Sequence, residues 1–235
     1  MSESPLRYPG GKSKIVPAIE HLLKQSANTD KIFVEPFAGG ASVSLGLLEK
    51  EIVPSILLND KDPAIYSFWN NVLNETDRIL SDIEDIPLTV EEWRKQKQIL
   101  KDSTIVPCYE LGFAAFYLNR TNRSGILKAG IIGGLNQNGP YKMNARFNRK
   151  TLCEKIEKIA NKKNRIQLYN LDFENLFIKL SQEDSFLYLD PPYYEKGSQL
   201  YLNYFTSEDH IRLHDLLSKM NCDWLLSYDN CPDIN

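Results

Sequence analysis

Apolar positions in the first third of the chain switch between two spacings. From Lys12 to Gln25 they fall at Ile15, Ile19, Leu22 and Leu23, the interval of a helix. Ile32-Phe33-Val34 is a short unbroken apolar run, as in a strand covered on both faces. It leads into Glu35-Pro36-Phe37-Ala38-Gly39-Gly40-Ala41-Ser42, then a helical stretch from Val43 to Lys50. Ser55 to Leu58 is a second buried run and ends on Asn59-Asp60. A helix is expected from about Asp62, with Pro63 in the first turn, where its missing N–H is not needed. Strands separated by helices in this order predict a parallel sheet with right-handed crossovers.

The spacing then changes character. Thr76 to about Asn119 is helical throughout, and Thr89 with Glu92 forms a capping-box start. Asn122 to Asn148 is rich in glycine, asparagine and basic residues and reads as loops or a flexible hairpin. A helix from Thr151 to Lys163 returns the chain to strand-like Arg165–Tyr169 and then to Phe186–Leu189. Ser207 to Met220 is a helix with acids in its first turn, and Asp223–Ser227 is a further strand. The expected organisation is a cofactor-binding, catalytic domain of residues 1–65 and 151–235, interrupted by a mainly helical module of residues 66–150. A doubly wound sheet normally continues beyond such a position, so the catalytic domain is expected to lack its C-terminal end.

Composition narrows the class. The chain has 235 residues, 42% of them hydrophobic and 25% charged, enough to bury a core. No apolar run reaches the ~20 residues of a membrane span, and no secretory leader is visible, so a cytoplasmic protein is expected. Cys108, Cys153, Cys222 and Cys231 are scattered and read as reduced, buried thiols; no metal site is expected. The net charge of −3 hides an asymmetry: Tyr117 to Arg165 holds twelve Lys/Arg against Glu154 and Glu157. Part of this is a solvated helix face, but a local excess of ten positive charges is the footprint of a polyanion site.

Candidate chemistry sits at the strand ends. Asp190-Pro191-Pro192-Tyr193 stops a buried strand with an acid, two stiff prolines and an aromatic ring. Acceptors and a flat ring in a crevice at the carboxyl end of a sheet suit a planar amine. The glycine turn at Gly39-Gly40 allows close backbone approach but is not the pattern that cradles a pyrophosphate. Asp60, about 20 residues on, stands where such folds bind ribose hydroxyls, and Asp62 is the better helix cap. Lys12 at a helix start opposes the helix dipole, which a ligand carboxylate would justify. Adenosine, a carboxylate and no phosphate describe S-adenosylmethionine.

Leu6–Lys12, Phe33–Ser42, Leu58–Asp60, Phe116–Arg120, Gly139–Lys142, Asp172-Phe173 and Leu189–Tyr193 occur in the order found in Dam-like DNA adenine-N6 methyltransferases of the alpha group, which the chain resembles along essentially its whole length. The resemblance implies a Rossmann-like α/β sheet that uses S-adenosylmethionine, with an inserted DNA-recognition module. It assigns Tyr8, Lys12, Phe37, Gly39, Asp60, Asp172, Phe173 and Asp190 to the cofactor. It implies that Asp190 and Pro191 accept hydrogen bonds from the target N6 amine and that Tyr193 stacks on a flipped adenine. Double-stranded DNA is the expected partner, with a cognate restriction endonuclease as a second. Arg120, Arg123, Lys128, Lys142 and Arg146 are candidates for phosphate or guanine contacts, and Asn122 for adenine. Two other readings stand beside this one. The planar amine could be RNA guanine N2 or a glutamine side chain, or the chain could be a DNA-binding fragment without catalysis.

Overall fold

A computed structural model describes residues 3–7, 11–102, 106–192 and 205–228. The chain folds as two compact units. The first comprises Lys12–Lys61 and the chain from Arg165 on; the second comprises Glu3–Gly11 and Asp62–Asn164.

The first unit is built on five parallel strands: β1 (Ile32–Glu35), β2 (Ile56–Asn59), β3 (Ile166–Tyr169), β4 (Ser185–Leu189) and β5 (Asp223–Leu226). Their order across the sheet is β3-β2-β1-β4-β5. β1 pairs with β2 (Val34 opposite Leu57) and with β4 (Val34 opposite Leu187). The order turns between β1 and β4, and the crevice at such a turning point is where open α/β sheets place ligands.

β4 is buried at every position, as a central parallel strand must be when helices cover both faces. On one face Val34, Leu57, Leu187 and Leu189 pack with Leu176 of α8 (Phe173–Lys179) and Leu213 and Leu217 of α9 (Ser207–Leu217). On the other, Phe33 stacks with Phe186 and Tyr188. The unit also contains α1 (Val16–Gln25) and α2 (Ser42–Glu49). Helix α8 is not predicted by the sequence pattern. It is seven residues long, too short for periodicity to declare it, and begins where the Asp172 carboxylate accepts the Glu174 N–H.

The second unit is helical: α3 (Pro63–Asn74), α4 (Thr76–Asp85), α5 (Val90–Asp102), α6 (Tyr109–Thr121) and α7 (Arg149–Ala160). Asp62 caps α3 by accepting the Ala64 N–H at 2.8 Å. Helix α6 is buried from Leu111 to Asn119 and forms the unit's centre; Phe116 lies flat on Phe68 of α3. Asn122 to Asn148 carries short 3-10 turns at Arg123–Gly125 and Met143–Arg146 and an isolated antiparallel bridge between Asn122 and Ile131. The unit takes in more chain than the 66–150 module read from the sequence, adding α7 and the segment Glu3–Gly11. Cys153 and Cys222 are buried free thiols; Cys108 is exposed, contrary to expectation.

Candidate functional site

The first unit gathers polar groups at the carboxyl ends of its strands. After β1 the chain turns through Gly39, whose φ of +46° favours glycine. Its N–H donates to Asp60 Oδ2 at 2.8 Å, tying the glycine turn to the end of β2. Asn59, 1% exposed, donates to the carbonyls of Pro36 and Leu171 and accepts the Leu171 N–H. One asparagine thus fixes three strand ends in a common rim.

Asp172 caps α8 with one oxygen and meets Lys61 Nζ at 2.8 Å with the other. Phe37 packs against Phe173 and Phe205 at ring separations of 5.8 and 5.4 Å, so aromatic faces stand beside the glycine turn. Phe173 is itself 2% exposed and belongs to the core. Phe37, Gly39, Asp60, Asp172 and Phe173 therefore share one end of the sheet.

Asp190 follows β4 directly, adjacent to β1. Lys12 Nζ meets both its oxygens, Oδ1 at 2.5 Å and Oδ2 at 2.7 Å. The sequence points Lys12 at a ligand carboxylate; the structure places its ammonium on Asp190. Ser227, just after β5, donates its hydroxyl to Asp190 Oδ1 at 2.7 Å. Pro191 is buried, so the turn after Asp190 is held as well as stiff. Tyr8 and Tyr193 lie outside the described residues.

Beneath this arrangement is a group to which the sequence alone assigns no role. Glu35 ends β1, is 4% exposed, and accepts the Ser44 N–H at 3.1 Å. Burial raises its carboxyl to about 8, and the Asp190 charge pushes the same way, against the Ser44 N–H and Lys12. The buried Ser44 hydroxyl faces the same carboxyl and also favours its charged form, without making a hydrogen bond of ordinary geometry among the described residues. A protonated Glu35 fits this place better than a second carboxylate.

The basic residues of the second unit divide into two kinds. Arg123, Lys128, Lys142 and Arg146 are exposed. Arg120 is not: Nε donates to the Arg146 carbonyl at 2.7 Å and Nη1 reaches the Pro5 carbonyl. Burial lowers its pKa to about 10, and Arg7 and Arg146 add repulsion. Arg7, to which the sequence assigns no role of its own, donates to the Asn122 carbonyl and is likewise lowered by burial and by Arg146. Arg7, Arg120 and Arg146 form no ion pair among the described residues, and the three like charges repel one another. Arg149 instead donates to the carbonyls of Ile83 and Ile86, closing the end of α4.

Asn122 is a correction. The sequence suggests a base contact, but the residue is 0% exposed. Its Oδ1 accepts from Trp93 Nε1 at 2.7 Å, and its Nδ2 donates to the carbonyls of Ile126 and Leu127 at 3.0 Å. All of its amide chemistry is spent holding the loop. Asn119 does the same for the N-terminal segment, accepting the Arg7 N–H at 2.7 Å and donating to the carbonyls of Arg7 and Gly125. Gly125 has φ +76°, and a Cβ there would stand 2.1 Å from the Arg7 carbonyl oxygen, so no other residue fits. Beside these turns lies a pocket of about 640 Å³ lined by Trp93, Arg94, Arg123, Leu135 and Tyr141 among others.

The D12 class N6 adenine-specific DNA methyltransferase family matches residues 8–235 of the chain. The chain is 27% identical over 234 residues to type II methyltransferase M.MjaIII of Methanocaldococcus jannaschii, covering 92% of this chain and 79% of that protein. It is 25% identical to type II methyltransferase M1.LlaDCHI of Lactococcus lactis, covering 92% and 76%. It is 26% identical to the retron Ec67 DNA adenine methylase of Escherichia coli, covering 90% and 71%.

Proposed function

The chain belongs to the D12 class N6 adenine-specific DNA methyltransferases, and from that premise we propose that Asp190 and Pro191 activate the adenine amine at the turning point of its sheet. The family implies S-adenosylmethionine as methyl donor. The residues present suit it: Gly39 makes the tight turn at the crevice, Asp60 offers acceptors for ribose hydroxyls, and Phe37, backed by the buried Phe173, offers an apolar face. Tyr8 and Asp172 complete the proposed cofactor set. When bound, the cofactor supplies an electrophilic methyl carbon on a sulfonium.

The adenine N6 lone pair is delocalised into the ring and is a weak nucleophile. Accepting the N6–H groups at the Asp190 carboxylate and the Pro191 carbonyl favours a more tetrahedral nitrogen and returns the lone pair to it. With the cofactor bound, its methyl carbon would pass to N6 as the bond to sulfur is given up, and Asp190 is the adjacent acceptor for the proton that N6 sheds. Catalysis of this kind is mainly alignment and electrostatics. Lys12 neutralises Asp190 until the amine arrives. Tyr193 stacks on the adenine, which must leave the duplex to be reached.

Duplex DNA is held through Arg123, Lys128, Lys142 and Arg146, with Arg7 and Arg120 gathered at Arg146 around a backbone phosphate. The type II methyltransferases among its relatives support a cognate restriction endonuclease as functional partner, acting in the same cytoplasm. No helix among the described residues is long and apolar enough to cross a membrane. The observation that carries the catalytic reading is Asp190 beside β1, gripped by Lys12 and Ser227. The test is transfer of a tritiated methyl group to unmethylated duplex DNA. Asp190→Ala should abolish transfer while leaving DNA binding intact; label found only on RNA or protein would overturn the reading.

A further inference from the structure

Ser227 is bound to the turn that carries Asp190 by more than one contact. Its N–H donates to the Leu189 carbonyl at 2.9 Å. Its hydroxyl lies 2.7 Å from Asp190 Oδ1, 3.3 Å from the Leu189 carbonyl and 3.2 Å from the Tyr188 hydroxyl. A serine hydroxyl has a single hydrogen to give. Asp190 Oδ1 is both the nearest of these atoms and the charged one, so the hydrogen goes there. In the remaining hydroxyl contact Ser227 must accept, and Tyr188 must donate. The result is a directed chain: Tyr188 O–H to Ser227 Oγ, and Ser227 O–H to Asp190 Oδ1. Its far end is rigid, since Tyr188 is 2% exposed and stacks on Phe33 at 6.1 Å.

We propose that Ser227, oriented by Tyr188, is a positioning residue for methyl transfer: it commits Oδ1 of Asp190 to the protein and leaves Oδ2 as the oxygen that accepts the N6–H. The proposal rests on the adenine-N6 reading of this site. Rotation of a carboxylate about its last torsion is broad, so a carboxylate held by charge alone does not distinguish its two oxygens. Lys12 touches both and cannot choose between them. Ser227 bonds one and fixes the plane of the group.

The experiment compares Ser227→Ala, Ser227→Thr and Tyr188→Phe with the wild-type chain. The rate of single-turnover methyl transfer to duplex DNA is measured beside affinities for DNA and for S-adenosylmethionine. Ser227→Ala should slow transfer about ten- to a hundredfold, the scale of a small misplacement of a reacting group, with both affinities within about twofold of wild type. Ser227→Thr, which keeps the hydroxyl, should recover most of the rate, and Tyr188→Phe should fall between. Transfer by Ser227→Ala at the wild-type rate overturns the proposal. So does a loss of both affinities that threonine does not restore, since that marks a residue needed only for folding. A wild-type chain that labels no DNA overturns the adenine-N6 reading, and this proposal with it.

Discussion

Glu35→Gln should alter the pH dependence of stability more than stability in acid. In the unfolded chain this carboxyl titrates near 4.5; in the fold it is raised to about 8. Between these values the native state binds more protons than the unfolded state, so stability falls as pH rises. The contribution is whole below the unfolded value and is lost as pH climbs through the folded one. At 1.36 kcal/mol per pKa unit, the wild-type chain should lose about 2–4 kcal/mol from this group between about pH 5.5 and 8.5. Glutamine has the same shape, carries no charge at either pH, can accept the Ser44 N–H and can donate to the buried Ser44 hydroxyl. The assay is urea unfolding of the unliganded proteins followed by circular dichroism at both pH values. Titrating groups that do not feel the Glu35 charge are common to the two chains and cancel. The variant's advantage over wild type should therefore grow by about 2–4 kcal/mol from the lower pH to the higher. Parallel losses in the two proteins would show that Glu35 is ionised in the fold, and would refute both the raised pKa and its cause in burial.

Asn122→Ala should cost roughly 2–3 kcal/mol, read from urea midpoints, because it strands a buried indole N–H and two loop carbonyls. Per mole of folded protein it should leave the salt dependence of DNA binding unchanged. Alanine at Arg123, Lys142 or Arg146 should each lower the slope of log affinity against log salt by about 0.9 for each phosphate no longer neutralised. Arg149→Ala, whose guanidinium is spent on α4, should leave that slope alone; the opposite pattern in a salt titration would refute the division of the basic residues.

The sheet is legible in the sequence because each strand is a short apolar run between turn residues, and parallel strands covered on both faces need little else. Asp190, Gly39 and Asp60 are legible because an acid or glycine at a strand end has few other reasons to be there. Ser227 gives no such signal: a serine after an apolar run looks like any loop residue, and its value comes from β5 lying beside β4. Arg7 escapes notice because counting charge along the chain cannot show that it comes to rest near Arg120 and Arg146, more than a hundred positions away. Asn122 misleads for a related reason. An asparagine among basic residues suggests a base contact, and only burial reveals that Trp93 and two carbonyls already hold it.

The hydrogen bonds that stitch Arg7 to Asn119 bear on how the proposed recognition unit can be moved between relatives. Among the described residues the chain passes from one unit to the other at three points, after Gly11, after Lys61 and after Asn164. A chimera that exchanges residues 66–150 alone would import Asn119 and Gly125 without the segment they were shaped to hold. Grafts that carry residues 3–11 and 62–164 together keep that fit, so specificity in this scaffold should be inherited as two separated pieces of sequence.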